Sequence, residues 1–257
     1  MYGLERSMSS ARIASGLCNS PPLRAFAGLT QVGLPWAKAN TMYAFNEAGT
    51  VSLLTRARFF ASAARLDQLP PPGAPEVCFV GRSNVGKSSA INVLTGQRRL
   101  AFSSKTPGRT QLINMFSLPD PHDPDNPIGF LVDLPGYGYA AVPERERAHW
   151  GQVIGDYVRE RASLRATVLI VDIRRGLTDL DCGLISWIAP RQLPMLALLS
   201  KADKLPYGQR LKAVSRIREE LDALGAVHVI PFSATHRIGI EEATQHIEGW
   251  ISPQVAP

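Results

Sequence analysis

Residues 81–88, Gly-Arg-Ser-Asn-Val-Gly-Lys-Ser, constrain the fold of this chain more than any other feature, because they match the pattern G-x-x-x-x-G-K-S. An apolar run, residues 77–80, precedes the pattern, and a helix-compatible stretch, residues 88–94, follows it. Strand, loop and helix in this order are the context in which the pattern forms a phosphate-binding P-loop. We therefore predict that backbone N–H groups and a helix N-terminus bind phosphates here, that Lys87 reaches the β- and γ-phosphates, and that Ser88 ligates Mg²⁺.

Composition and charge narrow the class of protein. The 257 residues are 45% apolar, as in ordinary globular proteins, and much of the net charge of +6 falls within residues 1–75. Contact with nucleic acid would therefore need a local basic patch. Three widely spaced cysteines without a C-x-x-C pair argue against disulfides and a zinc site, and indicate a reducing compartment. No apolar stretch is long enough for a membrane span.

The chain divides into three parts. Residues 1–50 show no strong periodicity and are rich in Ser, Ala and Pro, so a disordered N-terminal extension is predicted. An organelle transit peptide and a start codon assigned too far upstream are the alternatives. Residues 51–74 are predicted to form a short helical lead-in packed on the main domain and ended by the Pro-rich turn 70–73. Residues 75–254 are the predicted main domain.

The main domain alternates apolar strands with amphipathic helices. We predict strands at residues 77–80, 111–117, 128–133, 167–172, 194–200 and 228–232, and helices at residues 87–94, 144–161, 179–189, 208–224 and 240–251. The alternation predicts an α/β fold, a mostly parallel six-stranded sheet with helices on both faces. The second and third strands flank a Pro/Asp-rich loop and form a hairpin, so one edge strand should be antiparallel.

A second motif, Asp133-Leu134-Pro135-Gly136, follows a predicted strand about 50 residues after the P-loop. At the carboxyl end of that strand, Asp133 would lie beside the P-loop and hold the metal through water. The N–H of Gly136 could approach the γ-phosphate. Alone the pattern D-x-x-G is a weak turn signal, but its position makes it a credible part of a nucleotide site.

A third motif, Ser200-Lys201-Ala202-Asp203, would select the base. An ionised carboxylate only accepts hydrogen bonds, and guanine offers it N1–H and N2–H₂, whereas adenine presents an acceptor at N1. Asp203 therefore favours GTP over ATP, and the Lys201 stem can lie over the purine. Phe232-Ser233-Ala234, at the end of the last strand, could bind guanine O6 through backbone N–H groups. A kinase or ATPase would lack the Lys201–Asp203 pair and would need a lid and an acceptor pocket that the sequence does not show.

The segment between the P-loop and Asp133 should close over the nucleotide. A threonine must join Mg²⁺ and the γ-phosphate in the GTP state, and Thr106 and Thr110 are both candidates. Pro107 and Gly108 mark a loop with a hinge.

These strings, with residues 105–114 (Lys-Thr-Pro-Gly-Arg-Thr-Gln-Leu-Ile-Asn) and 133–140 (Asp-Leu-Pro-Gly-Tyr-Gly-Tyr-Ala), resemble the EngB (YihA/YsxC) family of bacterial ribosome-biogenesis GTPases, in the TrmE-Era-EngA-EngB-septin-like superfamily. The resemblance covers about residues 53–252. It implies a P-loop NTPase G domain, binding of GTP/GDP and Mg²⁺, and Thr110 as the switch threonine on the metal with Ser88. The family usually has Thr in place of Ser200, and residues 1–45 have no counterpart in its pattern.

The predicted catalytic residues are Lys87, Thr110 and Gly136. The predicted nucleotide-binding residues are Gly81, Arg82, Ser83, Asn84, Val85, Gly86, Lys87, Ser88, Gly108, Arg109, Thr110, Gln111, Leu112, Asp133, Leu134, Pro135, Gly136, Ser200, Lys201, Ala202, Asp203, Phe232, Ser233 and Ala234. The predicted metal ligands are Ser88 and Thr110, with Asp133 acting through water.

These residues predict slow intrinsic hydrolysis of GTP. Many GTPases place a water-orienting Gln after the D-x-x-G glycine, and this chain has Tyr137 there, so a partner or an ion is expected to accelerate hydrolysis. Asn84 is a candidate K⁺ ligand, with hydrogen bonding inside the loop as the alternative. Tyr137 and Tyr139 could stack on RNA or on a partner, or pack locally.

The resemblance implies a role in assembling the large ribosomal subunit, with a link to cell division and septation. The expected partner is the large-subunit precursor, through rRNA and ribosomal proteins, and the chain is expected to be a monomer in the bacterial cytoplasm. The alternative is a nucleotide-gated scaffold for division proteins. Candidate RNA contacts are Arg98, Arg99, Lys105, Arg109, Arg145, Arg147, Arg174 and Arg175, with a solvated face as the alternative.

Overall fold

The computed structural model of the chain describes residues 52–102, 112–120, 122–123, 125–138, 144–222 and 227–252, with the backbone alone for residues 144–150. Within them, one sheet contains β1 (Arg58–Ala63), β2 (Glu76–Gly81), β3 (Ile113–Pro119), β4 (Pro127–Asp133), β5 (Leu164–Asp172), β6 (Met195–Ser200) and β7 (Val227–Pro231). The helices are α1 (Lys87–Leu94), α2 (Glu144–Glu160), α3 (Asp179–Ile188), α4 (Tyr207–Asp222) and α5 (Ile240–Ile251). The described residues belong to a single compact unit that begins at Ser52.

The strand order is β1-β3-β4-β2-β5-β6-β7. Strands β4, β2, β5, β6 and β7 pair in parallel, and β3 pairs antiparallel with both of its neighbours. The β3–β4 hairpin is therefore as predicted. Crossover helices connect the parallel strands and bring their carboxyl ends to the same edge of the sheet.

Strand β1 corrects the predicted strand count, because the described sheet has seven strands instead of six. The edge of the sheet is antiparallel, as predicted, through the pairing of β1 with β3. Residues 51–74 are also not a helical lead-in. Within that segment Leu53–Arg56 forms a short 3₁₀ helix, and residues 58–63 then form the edge strand.

The failure of the helical prediction has a physical cause. A register shift between Phe59 and Ala61 interrupts the alternation that would mark a strand. Phe59 and Phe60 are also exposed, so the spacing of apolar residues in this segment does not mark a single buried face. Pairing with β3 satisfies the backbone of β1 on one side, and Leu54 and Ala57 are buried just before it.

The core lies on both faces of the sheet, as predicted. The central strand β2 is buried along its whole length, because Cys78 and Val80 face one apolar cluster and Val77 and Phe79 face the other. Helices α2, α3 and α4 contribute to the first cluster, and α1 and α5 contribute to the second. Burial on both faces explains why the parallel strands are continuous apolar runs.

A buried polar cluster closes the amino end of β2. The carboxylate of Glu76 accepts hydrogen bonds from Arg161 at 2.7 to 3.0 Å, from Ser163 at 2.6 Å and from the hydroxyl of Tyr157. Arg161 also donates to the carbonyl oxygen of Pro70 at 2.8 Å. Because a buried carboxylate is tolerated only when it is paired and hydrogen-bonded, the cluster ties α2, β2 and the Pro-rich turn together.

The two ends of the described unit meet at α5. The hydroxyl of Ser52 donates to Glu248 at 2.6 Å. Near its C-terminus, α5 packs so closely on β4 that a β-carbon on Gly129 would lie 2.6 Å from the Ile251 side chain. Gly129 is near the amino end of β4, so the first and last described residues lie away from the carboxyl edge of the sheet. Among the described residues, no helix is both long and apolar enough to cross a membrane.

Candidate nucleotide-binding site

The P-loop connects β2 to α1 and starts the site. Gly81 has φ +156°, and a β-carbon there would lie 2.8 Å from the carbonyl oxygen of Ile170. Gly86 precedes the first residue of α1 with φ +109°, and Asn84 adopts φ +61°. These left-handed and tight positions turn the chain so that Lys87 and Ser88 open the helix, as predicted for a loop that surrounds phosphates.

Lys87 and Asp133 form an ion pair between α1 and the end of β4. Both side chains are largely buried, so the ammonium group of Lys87 and the carboxylate of Asp133 lie in one recess. The sequence predicts that Lys87 binds phosphate and that Asp133 binds the metal. The structure places these two predicted ligand-binding groups next to each other.

The oxygen donors present fit Mg²⁺. Asp133 supplies a carboxylate, and Ser88, in the first turn of α1, supplies a hydroxyl that makes no hydrogen bond to another described residue. Within the described ranges, no group of three or more His, Cys, Asp or Glu side chains could hold a metal. Mg²⁺ does not need such a group, because it keeps several waters and binds through one or two protein oxygens and the substrate phosphates.

The segment 133–137 lies along the P-loop. The N–H of Leu134 donates to the carbonyl of Phe79 at 3.1 Å, and the N–H of Ser83 donates to the carbonyl of Tyr137 at 2.8 Å. The hydroxyl of Ser83 also donates to the carbonyl of Gly136 at 3.0 Å. The predicted proximity of Gly136 to the phosphate site is thus supported by direct contact with the P-loop.

Tyr137 packs locally, which selects between the interpretations left open by the sequence. Its ring is buried, and its hydroxyl donates to Asp181 at 2.6 Å. Burial and the nearby Asp181 carboxylate raise the pKa of the Tyr137 hydroxyl well above its ordinary value. Asp181 in turn accepts from the N–H and hydroxyl of Thr178 at the start of α3. Tyr137 is therefore held between the P-loop and α3 in this structure and does not present its ring to a partner.

Ser200 contacts the P-loop instead of presenting its hydroxyl to the pocket. The buried hydroxyl lies 2.7 Å from the carbonyl oxygen of Val85 and 3.1 Å from that of Val171. The next residue, Lys201, donates to the carbonyl of Asn84 at 3.0 Å. The base-selecting segment is therefore bonded to the P-loop at two points.

Asp203 is positioned by the loop after β7. Its Oδ1 accepts from the hydroxyl of Ser233 at 2.7 Å, and its Oδ2 lies 3.0 Å from the ammonium of Lys204. The Ser233 and Lys204 contacts hold the pKa of Asp203 below its ordinary value. The N–H of Ala202 donates to the carbonyl of Phe232 at 3.1 Å. The two segments that were predicted to recognise guanine are therefore in contact, and Ala234 directly follows them.

Asp172 was missed by the sequence analysis. It ends β5 beside Ser200 in the register, and its carboxylate accepts hydrogen bonds from Arg174 and Lys201. With Lys201 and Arg174 it lines a recess of about 310 Å³ next to the P-loop. The only signal in the sequence was an acidic residue at the end of an apolar strand, which is where ligand-contacting residues collect in a parallel sheet.

Several predicted residues lie outside the described ones. These are Lys105, Thr106, Pro107, Gly108, Arg109, Thr110, Gln111 and Tyr139, together with the side chains of Arg145 and Arg147. Leu112 is described, and it lies exposed immediately before β3. Arg98, Arg99 and Arg175 are exposed, and Arg174 is partly engaged by Asp172.

Comparison with known proteins agrees with this geometry. Residues 76–201 match a family model described as "50S ribosome-binding GTPase". The chain is 67% identical over 207 residues to a protein of Bordetella pertussis described as "Probable GTP-binding protein EngB", a match that covers 80% of this chain and all of that one. A protein of Ralstonia nicotianae with the same description is 48% identical over 215 residues, covering 80% of this chain and 92% of that one.

Solved structures share the fold. A crystal structure of a probable GTP-binding protein engB aligns with a TM-score of 0.53 and 24% identity, covering 68% of this chain and 98% of that one. Aquifex aeolicus Era Y63A bound to GDP·AlF₄⁻ aligns with a TM-score of 0.52 and 19% identity, covering 72% of this chain and 60% of that one. At this identity the two structures support the fold alone.

The fold and the site define a P-loop GTPase with a G domain. The carboxyl ends of parallel strands bring together a P-loop, a D-x-x-G segment and a Lys-x-Asp segment, each in the expected order. Together with the extent of the sequence matches, this shows that the chain belongs to the EngB family of GTP-binding proteins.

Proposed function

We propose that this GTPase is a slow switch that acts in assembly of the large ribosomal subunit in the bacterial cytoplasm, with a link to cell division and septation. The observation that carries the proposal is the direct bonding of segment 133–137 to the P-loop through Ser83, Gly136 and Tyr137. A change at the γ-phosphate would be transmitted to this segment, because the two share hydrogen bonds. The description of the matched family model supports the ribosome as the partner.

Slow hydrolysis is supported by the position of Tyr137. A residue that orients the attacking water must reach the γ-phosphate, but the Tyr137 hydroxyl is buried against Asp181. In-line attack then depends on Lys87, the P-loop amides and a metal for charge neutralisation. Mg²⁺, held by Ser88 and Thr110 and through water by Asp133, would supply that charge.

K⁺ is the proposed additional activator. Asn84 is exposed, and its side chain makes no hydrogen bond to another described residue, which leaves the amide oxygen available as a ligand. Steady-state GTP turnover should be higher in KCl than in NaCl of equal ionic strength. The variant Asn84→Gly keeps the left-handed backbone accessible and removes the amide, so it should lose the difference between the salts. Equal turnover of the parent protein in both salts would contradict the role.

Contact with rRNA is proposed for exposed arginines in the segments that follow α1 and β5. Arg98, Arg99 and Arg175 are exposed and lack an ion-pair partner among the described residues. Guanidinium groups bind phosphate in a bidentate manner, so this set can contact an RNA backbone. Lys105, Arg109, Arg145 and Arg147 remain candidates for RNA contact from the sequence.

The proposal is tested by co-sedimentation with ribosomal subunits at one fixed salt concentration, since phosphate contacts make affinity salt-dependent. The protein is mixed with a non-hydrolysable GTP analogue, with GDP or with no nucleotide. Selective binding to the large subunit with the GTP analogue is expected. Lys87→Ala should abolish that selectivity, and Arg165→Ala, an exposed site at the amino end of β5, should retain it. Binding that ignores the nucleotide, or no binding, would overturn the assembly switch and favour a scaffold for division proteins.

A further inference from the structure

The ammonium group of Lys201 requires more than one contact to stay in place. Lys201 follows β6 with φ +60°, and its long side chain is about one-third exposed. Holding such a long side chain in one conformation costs side-chain entropy. A hydrogen bond to the uncharged carbonyl of Asn84 offsets that cost less well than the same bond combined with an ion pair.

Asp172 supplies the missing contact. Its Oδ2 accepts from the ammonium of Lys201 at 3.0 Å and from Arg174 at 2.7 Å. Its Oδ1 accepts from the guanidinium of Arg174 at 2.9 Å and from the Arg174 N–H at 3.1 Å. Both carboxylate oxygens are therefore occupied, and the side chain is only 7% exposed.

The charge of Asp172 is maintained at neutral pH. Burial acts to raise the pKa of this carboxyl, but the hydrogen bonds from Arg174 and Lys201 outweigh burial and hold the pKa well below its ordinary value. A charged acceptor in a partly buried position gives a stronger hydrogen bond than a neutral one.

The other carboxylate of the base-selecting segment does not compete for Lys201. Asp203 directs one oxygen to Ser233 and the other toward Lys204. The ammonium of Lys201 therefore has Asp172 as its charged partner, while Asp203 stays oriented by the loop after β7.

We infer that Asp172 is a positioning residue of the guanine-nucleotide site: it holds Lys201 against the P-loop so that the Lys201 stem can cover the purine. Arg174 acts on Lys201 indirectly, because it lies nearer the surface and orients the Asp172 carboxylate. The arrangement joins the end of β5 to the P-loop and to the base-selecting segment, and it prepares the site before the nucleotide arrives. A prepared site loses less conformational freedom on binding, so its affinity is higher.

A double-mutant cycle tests this role. The dissociation constant of a fluorescent GDP analogue is measured for the parent protein, Asp172→Asn, Lys201→Met and the double variant. Asp172→Asn alone should weaken binding about tenfold, mainly through faster release, because it replaces the ion pair with Lys201 by a hydrogen bond to an uncharged amide oxygen. In the Lys201→Met background the same change should have less than about a twofold effect, since its target is absent.

Two further variants keep the test valid if Asp172→Asn proves unstable. Arg174→Ala removes an exposed side chain and should weaken binding about twofold to threefold, again only when Lys201 is present. Arg165→Ala removes an exposed arginine at the opposite end of the same strand and should leave binding unchanged. The urea concentration at the midpoint of unfolding, measured for the same samples, shows whether a variant has lost stability or only affinity for the nucleotide. Equal losses with and without Lys201, or no loss at all, would overturn the inference.

Discussion

Ser83 and Gly136 are in contact through both backbone and side chain: the Ser83 hydroxyl donates to the Gly136 carbonyl at 3.0 Å, and a β-carbon on Gly136 would lie 3.1 to 3.2 Å from three atoms of Ser83. The contact leaves no unoccupied space between the P-loop and the D-x-x-G segment at this point. The position of one segment therefore sets the position of the other.

Gly136→Ala should consequently displace this segment from the P-loop. Because small misplacements near reacting atoms are costly, we expect GTP turnover to fall on the order of tenfold to a hundredfold with the fold retained. Single-turnover hydrolysis and circular dichroism measure the two effects. Gly183→Ala is the matched control, since nothing lies within 4 Å of a β-carbon there and Ala favours the helix. Parent-like turnover in Gly136→Ala would show that the contact is unimportant.

Tyr137→Phe should destabilise the junction between the D-x-x-G segment and α3. The change removes the hydroxyl that donates to Asp181 and leaves one buried oxygen of the Asp181 carboxylate without that hydrogen bond. We expect the free energy of unfolding to fall by about 1–3 kcal/mol, measured by urea denaturation. GTP turnover should remain, because the hydroxyl does not point to the phosphate site. Loss of turnover in a stable Tyr137→Phe protein would instead assign the hydroxyl a part in hydrolysis.

Arg161→Met should be among the more damaging single changes far from the nucleotide. It leaves Glu76 buried without its ion-pair partner and removes the donor to Pro70. The free energy of unfolding should fall by about 3–5 kcal/mol. The exposed Arg165→Ala should change it by no more than about 0.5 kcal/mol. A small effect of Arg161→Met would mean that Tyr157 and Ser163 satisfy Glu76 without it.

Asp203→Asn should change the preferred base. An amide presents a donor where the carboxylate accepted, so we expect GTP affinity to drop about tenfold to a hundredfold. Xanthosine triphosphate has a carbonyl at C2 and should bind the variant better than it binds the parent protein. Competition against a fluorescent nucleotide measures both affinities. An unchanged order of preference would remove Asp203 from base recognition.

The pH dependence of stability should reveal Asp172. Its pKa in the folded protein is well below the ordinary value of 3.8, so its ionised form contributes stability above that value and loses it as the pH falls through the folded pKa. The difference in unfolding free energy between the parent protein and Asp172→Asn should be constant from about pH 5 to 8 and should shrink below about pH 4. A difference that changes between pH 6 and 8 would indicate another titrating group.

The P-loop, the hairpin and the order of helices and strands could be predicted from the sequence because each has a local cause. Gly81 and Gly86 adopt the backbone torsions that the P-loop requires, and long apolar runs mark strands that are buried on both faces. The edge strand β1 could not be predicted, since its pairing with β3 and its register shift are set by a partner about 55 residues away. An edge strand also carries exposed apolar residues such as Phe59, which removes the usual pattern.

Within the site, the sequence identified residues but not all of their roles. Ser200 was assigned to the nucleotide because of its motif, and its contact with Val85 became visible only with β6 and the P-loop in place. Tyr137 had three interpretations until α3 supplied Asp181 as its acceptor. Asp172 belongs to no motif, and it gains meaning only from the pairing of β5 with β6, which places it beside Ser200 and Lys201.

The hydrogen bond between Ser52 and Glu248 has a practical consequence for handling this domain. Since the first described residues and the last helix adjoin at the end of the sheet away from the nucleotide, a fluorophore or an affinity tag fused at either end of the domain would lie far from the P-loop. A short linker could join the two ends, and new ends could then be opened in a surface loop such as the one between β3 and β4. The domain would thus accept circular permutation, with its new ends at the edge of the sheet opposite the P-loop.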